Sequence, residues 1–462
     1  MSENQEKEKS SVFGVVPVRE KASYAIASGG GNIITTLLGS FLSGYLTDSV
    51  GVAAAAVGTM LLIARIFDAM SDVCMGTIID KTHTRWGKAR PWLLIGAPLI
   101  AIGTILVFAV PSSLSSGGKL VYAYLTYIFL NCICYTMFMV SHTAMLSRIS
   151  LNGQERQKMS SLNQIINQFG ALAVSTFVVS LVNMIGWTGA AAIYGIAAAV
   201  CILIGFFFTR EHVGEAVDAR NAQEAQKKQT VPLKESLPAM LKNKYFYLLT
   251  ILFICILAQS AGVGSMTYYY CNSVLGNLGM VSFMSFCSYV PAICANLLTP
   301  SLTKRFGRRN VLFVACVVCT AAYLVIGLAG TFVPVVALAI VVKGFALGPI
   351  FSCGFAMASD VVDYGEWKTG IRSEGLINSC VSFGQKVGLG IGPAIATWII
   401  GAGGYDGTAA VQSASAISSI QFAFSYMGAI FTAIMALAAF FMNIDKFKPQ
   451  IEEALAKKHA AV

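Results

Sequence analysis

Two aspartates four residues apart, Asp68 and Asp72, interrupt an otherwise apolar stretch of the chain at residues 52–79. A carboxylate at bilayer depth costs roughly 2.5–3.5 kcal/mol on insertion scales, so it persists mainly where it faces a partner or a water-filled cavity. An i, i+4 spacing places both carboxylates on one face of a helix. Because two neighbouring negative charges in a low dielectric attract a cation, the pair predicts a site for a small transported cation.

Arg65 stands one turn before Asp68 and offers a second interpretation of the pair. A structural bridge between arginine and aspartate would hold helices together without any transported ion. One guanidinium does not neutralise two carboxylates, however, so a cation site stays open beside the bridge, above all at Asp72.

The composition indicates a polytopic membrane protein. Of the 462 residues, 56% are hydrophobic and 12% are charged, whereas soluble domains carry about 25% charged residues. The net charge of +10 does not indicate nucleic-acid binding, because the basic residues lie in short loops between apolar stretches. Residues 1–20 are polar and lack the apolar core of a signal peptide, so we expect no cleaved leader.

A spanning helix needs about 20 apolar residues, and the sequence contains about twelve such stretches. The predicted spans are 23–47, 52–79, 92–111, 120–148, 161–184, 187–208, 245–272, 279–302, 310–329, 332–359, 374–402 and 416–443. We therefore predict an all-α membrane protein of twelve transmembrane helices, with one six-helix bundle in residues 1–208 and another in 245–443. Residues 209–244 would form a cytoplasmic linker and 444–462 a cytoplasmic tail.

Basic loops recur at corresponding places in the two halves. Lys81, Arg85 and Lys88 follow the second span, and the basic stretch 304–309 follows the eighth. This recurrence indicates a duplicated six-helix unit, the internal symmetry of many secondary transporters. The odd-numbered loops are almost free of Lys and Arg, so the positive-inside rule places both termini in the cytoplasm of a multi-pass protein of the plasma (inner) membrane.

Span five carries an amide-rich face formed by Asn163, Gln164, Asn167 and Gln168. We interpret this face as the wall of a hydrophilic substrate cavity, with hydrogen bonding between helices as the alternative. His142 in span four is a candidate for substrate contact or proton sensing, and packing between helices is its alternative.

Two lysines and two aromatic residues complete the candidates in the second half. Lys343 in span ten and Lys386 in span eleven lie too far from the helix ends for easy snorkelling. Each therefore needs a counter-charge, either the aspartates or an anionic ligand. Phe351 and Phe355 offer a stacking surface for a sugar, although aromatic residues at helical spacing are more often packed or lipid-facing.

Three motifs follow one another along the chain: Arg65-Ile-Phe-Asp68-Ala-Met-Ser-Asp72, then Arg85-Trp-Gly-Lys88-Ala-Arg-Pro91-Trp, then Val362-Asp363-Tyr364-Gly365-Glu366-Trp367-Lys368-Thr-Gly-Ile-Arg372-Ser-Glu374-Gly. Together they resemble the glycoside–pentoside–hexuronide:cation symporter family, a branch of the major facilitator superfamily that includes melibiose and glucuronide permeases. The similarity covers essentially the whole chain. It implies the major facilitator fold of two pseudo-symmetric six-helix bundles, alternating access, and symport of a sugar with sodium, lithium or a proton.

The resemblance also implies roles for single residues. The family's cation site uses two aspartates in span two and a threonine in span four, which match Asp68, Asp72 and Thr136. Its span-eleven lysine, close to the cation and sugar sites, matches Lys386.

The sugar-binding positions depart from the melibiose permease pattern. That protein grips its galactoside with carboxylates in spans one and four and an arginine in span five, where this chain has Asn32, Met139 and Gln164. Asn32 is also what glucuronide-permease-like members carry. Because the cavity has lost negative charge while Lys343 adds a positive one, we hypothesise an acidic substrate such as a hexuronide, with a structural partner for Lys343 as the alternative.

We thus predict secondary active import of a glycoside or hexuronide by a monomer that needs no cofactor. Two carboxylates at one site suit either Na⁺ or H⁺, so the sequence leaves the coupling ion open. Charged loop residues are expected to form ion pairs that close the inner side, with solvated loop charges as the alternative. These gating candidates are Asp80, Arg85, Lys88, Asp363, Glu366 and Arg372.

Two other functions stay open at this point. Relatives with the same aspartate pair move lysophospholipids, and Met139 beside Phe138 suits a lipid tail, although the amide-rich fifth span does not. A membrane sensor would need a soluble signalling domain, for which the linker 209–244 is too short and too polar. Since no nucleophile–base pair or metal cluster stands out among four histidines, we do not expect an enzyme.

Overall fold

The computed structural model of the chain describes residues 16–150, 152–213, 243–369, 374–409, 411–447 and 450–451. Apart from one isolated bridge in a loop and a short 3₁₀ helix at Ile444–Phe447, the regular elements in these residues are long helices. They are α1 (Val18–Ser49), α2 (Ala54–Lys81), α3 (Arg90–Val107), α4 (Ser116–Ile149), a divided helix (Gly153–Phe208), α7 (Lys244–Val274), α8 (Met280–Phe306), α9 (Arg308–Ala329), α10 (Val333–Thr369), α11 (Glu374–Ala402) and α12 (Ala414–Phe441).

The helix over Gly153–Phe208 is divided at Gly186, whose backbone has φ 74° and ψ 173°. A left-handed φ is one that glycine adopts at little cost, so this residue breaks the helix into α5 (153–185) and α6 (187–208). The break falls between the predicted spans 161–184 and 187–208. With it, the described residues contain a helix for each of the twelve predicted spans. Within the described residues, ten helices are long and apolar enough to cross a membrane when Gln154–Phe208 counts as one, and α11 is not among these ten.

The chain forms two compact units, residues 1–227 and 228–462. Within unit 1, α1 packs along the divided helix α5–α6, α3 packs on the same helix, and α2 packs on α4. Within unit 2, α7 packs along α11, α10 contacts both α8 and α9, and α9 packs on α12.

The first helix of each unit ends in the same way. Each ends in a π-helical turn, Tyr45–Ser49 in α1 and Tyr270–Val274 in α7, and a glycine with positive φ follows (Gly51, 81°; Gly276, 63°). In both units the amide after the turn donates to the carbonyl of the leading tyrosine, at 3.1 Å and 3.0 Å. The repeated backbone geometry supports the pseudo-symmetry of the two bundles.

An arginine at the start of the third helix of each unit is anchored to the end of the sixth. Arg90 donates to the carbonyl of Phe206 at 2.7 Å and lies 5.0 Å from its ring centroid. Arg309 donates to the carbonyl of Phe440 at 2.5 Å and lies 5.5 Å from that ring. The recurring basic loops therefore have a structural role besides setting the orientation of the chain in the membrane, because each arginine satisfies a carbonyl at the C-terminus of a helix.

Carboxylates that the sequence analysis did not single out join four helices of unit 1. Glu211 accepts the backbone N–H groups of Ala89 (2.8 Å) and Arg90 (3.1 Å) and the side chain of Arg148 (2.5 Å). It thereby satisfies the otherwise unpaired donors at the start of α3, where a negative charge is favoured. Glu20 on α1 accepts from the backbone of Arg210 at 2.7 Å. Residues 209–213, just after α6, are therefore fixed to the ends of α1, α3 and α4.

The first prediction concerns the close approach of α1 to α6. A Cβ atom on Gly30 would stand 2.7 Å from the carbonyl oxygen of Ala198 and 2.8 Å from Cys201 Cβ. We expect Gly30→Val to lower the melting temperature of the purified protein, since overpacking costs about 1–3 kcal/mol. Gly39→Val on the same helix is the control, because among the described residues no atom from outside its own stretch of helix lies within 4 Å of its Cβ position. Equal melting temperatures for the two variants would contradict this packing.

The second prediction concerns pH. His212 Nε2 lies 3.0 Å from Glu20 Oε2, and this hydrogen bond raises the pKa of His212 above its ordinary value while partial burial opposes the shift. When the pKa of a histidine is higher in the folded than in the unfolded state, its protonation stabilises the fold. This stabilisation is fully present below about pH 6.5, the ordinary pKa of histidine in the unfolded chain, and is lost as the pH rises through the pKa of the folded state.

We therefore expect wild type to exceed His212→Gln in melting temperature at about pH 6 and to lose that advantage by about pH 9, above the ordinary pKa. Glu20→Gln should lose the same advantage at about pH 6, because it removes the negative charge that His212 contacts. A difference between wild type and His212→Gln that stays constant with pH would refute the assignment.

Candidate functional site

Asp68 lies on α2 and is 9% exposed. The Thr136 hydroxyl of α4 donates to Asp68 Oδ1 at 3.3 Å, and Arg65 Nη1 lies 3.5 Å from Asp68 Oδ2. The structure thus brings together the predicted aspartate, the predicted threonine and the arginine of the alternative interpretation. Asp72 follows one turn later on the same helix and is half-buried.

A π-helical turn in α4, Phe129–Tyr135, directly precedes Thr136. Such turns occur frequently at functional sites. Cys132 within the turn donates to the carbonyl of Ala64 at 3.4 Å, which fixes the wide turn against α2. The consequence is that Thr136, the next residue of α4, faces Asp68.

Ser71 is a member of this site that the sequence analysis missed. Its hydroxyl donates to the backbone oxygen of Asp68 at 3.0 Å and lies 3.2 Å from Thr136 Oγ1. The available signal was its position three residues after Asp68, which places it on the same helix face.

Several oxygen atoms lie close to Thr136 Oγ1. Asp68 Oδ1, Ser71 Oγ and the carbonyl oxygen of Asn131 are all within 3.3 Å of it. Carboxylate, hydroxyl and carbonyl oxygens are ligands that suit a hard cation. The cluster therefore has a donor set suited to a small cation.

The amide face of α5 meets α1. Asn32 Nδ2 donates to the backbone oxygen of Asn167 at 2.5 Å, and Ser28 donates to Asn167 Oδ1 at 3.0 Å. These contacts fit the alternative in which Asn167 joins two helices. Gln164 is exposed, and Asn163 Oδ1 is buried without a hydrogen-bond partner among the described residues. The amides therefore divide between interhelical contact and polar groups open to a ligand.

His142 is buried and held on both sides. One ring nitrogen lies 2.9 Å from the carbonyl oxygen of Tyr24, and the two rings are stacked with centroids 4.1 Å apart. Phe138 packs on the imidazole at 5.4 Å. These contacts fit the alternative in which His142 packs between α4 and α1.

Lys343 on α10 is 7% exposed, and no carboxylate pairs with it among the described residues. Its ammonium lies 5.5 Å from the ring centroid of Tyr323 on α9. The Tyr323 hydroxyl accepts a hydrogen bond from Gln259 Nε2 on α7, while Gln259 Oε1 is buried without a partner in the described part of the chain. The sequence analysis named Lys343 but neither of these neighbours.

The other candidates of unit 2 lie on the same or the next helix. Phe355 is exposed and packs edge-on against Phe253 at 5.1 Å. Phe351 and Lys386 are half-buried. Their predicted roles in sugar binding stay predictions.

The gating candidates differ in burial. Asp80 and Arg85 are exposed, and the guanidinium of Arg85 lies over the ring of Trp86. The backbone amide of Lys88 donates to Glu211 at 3.2 Å. In α10, Asp363 is half-buried and Glu366 is buried. Arg372 lies outside the described residues.

Comparison with known proteins identifies the family. The sequence profile described as MFS/sugar transport protein matches residues 23–446. The isoprimeverose transporter of Lactiplantibacillus pentosus is 33% identical over 96% of this chain and 93% of its own length. The glucuronide carrier protein homolog of Escherichia coli strain K12 is 30% identical over 94% and 95%. A putative glycoside/cation symporter of the same strain, YagG, is 28% identical over 96% of each chain.

Solved transporter structures share the fold at low sequence identity. The nucleoside transporter NupG superposes with a TM-score of 0.64 at 16% identity, covering 92% of this chain and 98% of that one. A D-xylose-proton symporter superposes with a TM-score of 0.60 at 15% identity, covering 90% and 95%. These matches confirm the predicted fold class, and the relatives are transporters rather than enzymes. The chain therefore belongs to the MFS/sugar transport protein family, in its glycoside–pentoside–hexuronide:cation symporter branch, and is a multi-pass membrane transporter.

Proposed function

We propose that the protein imports a glycoside or hexuronide together with a cation, by alternating access. The observation that carries this proposal is the oxygen cluster of Asp68, Ser71 and Thr136 between α2 and α4. The printed names of relatives support the cargo, since they include an isoprimeverose transporter, a glucuronide carrier homolog and a putative glycoside/cation symporter. None of these names favours a lysolipid carrier or a membrane sensor.

The cation binds between Asp68 and Asp72, with the hydroxyl oxygens of Thr136 and Ser71 as further ligands. Its charge is opposite in sign to that of both carboxylates. Binding the cation therefore lowers the cost of closing a cavity around the sugar, because charges are costly to enclose in a low dielectric unless they are paired. Cation and sugar thus raise each other's affinity, a reciprocal coupling worth typically about 1–3 kcal/mol. Carboxylate and hydroxyl oxygens suit Na⁺, and the carboxylates equally suit a proton.

The sugar contacts are proposed on both units. In unit 1, the exposed Gln164 and the unsatisfied Asn163 oxygen offer hydrogen bonds to sugar hydroxyls, next to Asn32 on α1. In unit 2, Lys386 and the aromatic residues Phe351 and Phe355 provide a cation and a stacking surface. The protein would act as a monomer in the plasma membrane with both termini cytoplasmic, and ion pairs among the charged loop residues would close its inner side.

The third prediction tests the cation site. Asp68→Asn should abolish the accumulation of sugar against its concentration gradient that a Na⁺ or proton gradient drives. Movement of sugar down its own concentration gradient should persist. Thr136→Val should raise the cation concentration needed for half-maximal uptake by about tenfold, because a hydrogen bond to a charged group contributes about 1.5–3 kcal/mol.

Thr143→Val is the matched control on α4, since the hydroxyl of Thr143 is exposed and donates to the carbonyl of Met139 on its own helix. Uptake into vesicles is measured with the Na⁺ and pH gradients imposed separately, which also identifies the coupling ion. Intact gradient-driven accumulation by Asp68→Asn would defeat the proposal.

We further propose that an acidic sugar supplies the counter-charge of Lys343. A buried ammonium without a carboxylate is costly unless a partner compensates it. The ring of Tyr323 offers some compensation by cation–π attraction, which is the structural alternative. The side-chain oxygen of Gln259, whose amide nitrogen donates to the Tyr323 hydroxyl, is buried without a hydrogen-bond partner among the described residues.

The fourth prediction separates these two roles of Lys343. Lys343→Gln should weaken binding of a glucuronide by about tenfold or more, the loss expected for a charge-assisted hydrogen bond, and should leave binding of a neutral glycoside unchanged. Lys368→Gln is the control, because Lys368 also lies over a tyrosine ring on α10, at 5.7 Å from Tyr364, but is exposed. Equal losses for charged and neutral glycosides would assign Lys343 to structure alone.

A further inference from the structure

An apolar groove of about 630 Å³ runs between α8, α9 and α10 of unit 2. Its walls are formed by aliphatic and aromatic side chains, among them Phe306 of α8, Val314 and Val318 of α9, and Val342 and Phe345 of α10. The lining residues Val314 and Phe345 are 56% and 43% exposed. Because α8, α9 and α10 have the length and apolarity of membrane spans, exposed side chains of this kind suit contact with hydrocarbon chains.

A second, polar pocket of about 600 Å³ adjoins one end of the groove, at the turn between α8 and α9. Lys304, Gly307 and Arg308 line it, and it shares Phe306 and Asn310 with the groove. The two shared residues make the pair one continuous surface, apolar along the helices and polar at the helix ends. We call this surface the α8–α10 site.

The polar end of the α8–α10 site is positively charged. Lys304 and Arg305 lie in the last turn of α8 and are exposed. Lys304 has no acidic partner within the residues that the structure describes. Arg308, in contrast, is already paired with Asp360 at 2.7 Å. Lys304 therefore leaves a positive charge available next to the opening of an apolar groove.

We propose that the α8–α10 site binds one anionic phospholipid, with its phosphate on Lys304 and an acyl chain in the groove. A small anion or a sugar would leave the apolar groove unused, and an acyl chain alone would leave the lysine charge unused. A lipid with a net negative head group satisfies both ends at once. A basic pocket between membrane helices is a form in which proteins recognise anionic lipids. This site is separate from the cation cluster in unit 1, so the proposal stands independently of the transport function.

The fifth prediction uses the purified full chain in detergent with added lipid. Phosphatidylglycerol should raise the melting temperature of wild type in a concentration-dependent manner, and phosphatidylcholine should raise it less. Lys304→Gln should weaken the phosphatidylglycerol effect by about fivefold in concentration, the change expected for one basic residue at a membrane surface. Val318→Trp, which fills the groove, should remove the preference for phosphatidylglycerol.

Two matched variants control for net charge and for surface bulk. Lys81→Gln removes one exposed lysine from the last turn of α2, the corresponding helix of unit 1. Val317→Trp places the same bulk on α9 at a residue that is 46% exposed and does not line the groove. Both controls should respond to phosphatidylglycerol as wild type does. The melting temperatures of Lys304→Gln and Val318→Trp without lipid, compared with those of the controls, show whether the test variants fold.

Three results would overturn the proposal. Equal stabilisation of wild type by the two lipids would remove the need for a basic site. An equal response of Val318→Trp and Val317→Trp would exclude the groove as the place where the chain binds. Stabilisation by inorganic phosphate as strong as that by phosphatidylglycerol would show that the pocket takes a free anion and that the groove plays no part.

Discussion

Ionised carboxylates inside an apolar helix bundle impose the constraint on which the rest of unit 1 depends. Asp68 is tolerated because Arg65 and Thr136 lie beside it, and Thr136 is positioned by a π-helical turn that packs on α2. Because a buried charge without compensation costs several kcal/mol, these contacts are what make a carboxylate tolerable at this depth. The proposed cation adds a second positive charge to that of Arg65.

The two units share backbone features but differ in their buried charged side chains. Arg90 and Arg309 each join the start of the third helix of their unit to the end of the sixth, and similar π-helical turns end α1 and α7. The interiors differ: a carboxylate cluster lies between α2 and α4, whereas a lysine lies between α10 and α9. The same arrangement of helices thus carries a buried carboxylate between two helices of unit 1 and a buried lysine between two helices of unit 2.

The apolar pattern of the sequence predicted the fold well, because bilayer thickness sets the length of each span. A break between the spans 161–184 and 187–208, for example, was expected, and Gly186 provides it by its positive φ. The site was only partly predictable. Asp68 and Thr136 were named in advance, whereas Ser71 was missed: its spacing places it on the same helix face as Asp68, but its contact with Thr136 on α4 is a tertiary one. Glu211 and Tyr323 act on residues far away in sequence, so their roles needed the tertiary structure. The contacts of His142 are likewise set by Tyr24, on another helix.

The π-helical turn Phe129–Tyr135 has a consequence for α4 as a whole. One extra residue in a turn rotates the side-chain directions of all later residues about the helix axis by about 100°, since an α-helix has 3.6 residues per turn. A single helical wheel drawn over α4 therefore mixes two phases, one for each side of the turn. A one-residue deletion inside the turn would restore regular winding and swing Thr136 away from α2, even though no ligand atom had been removed. In α4, residue number alone is thus no guide to which face a side chain occupies.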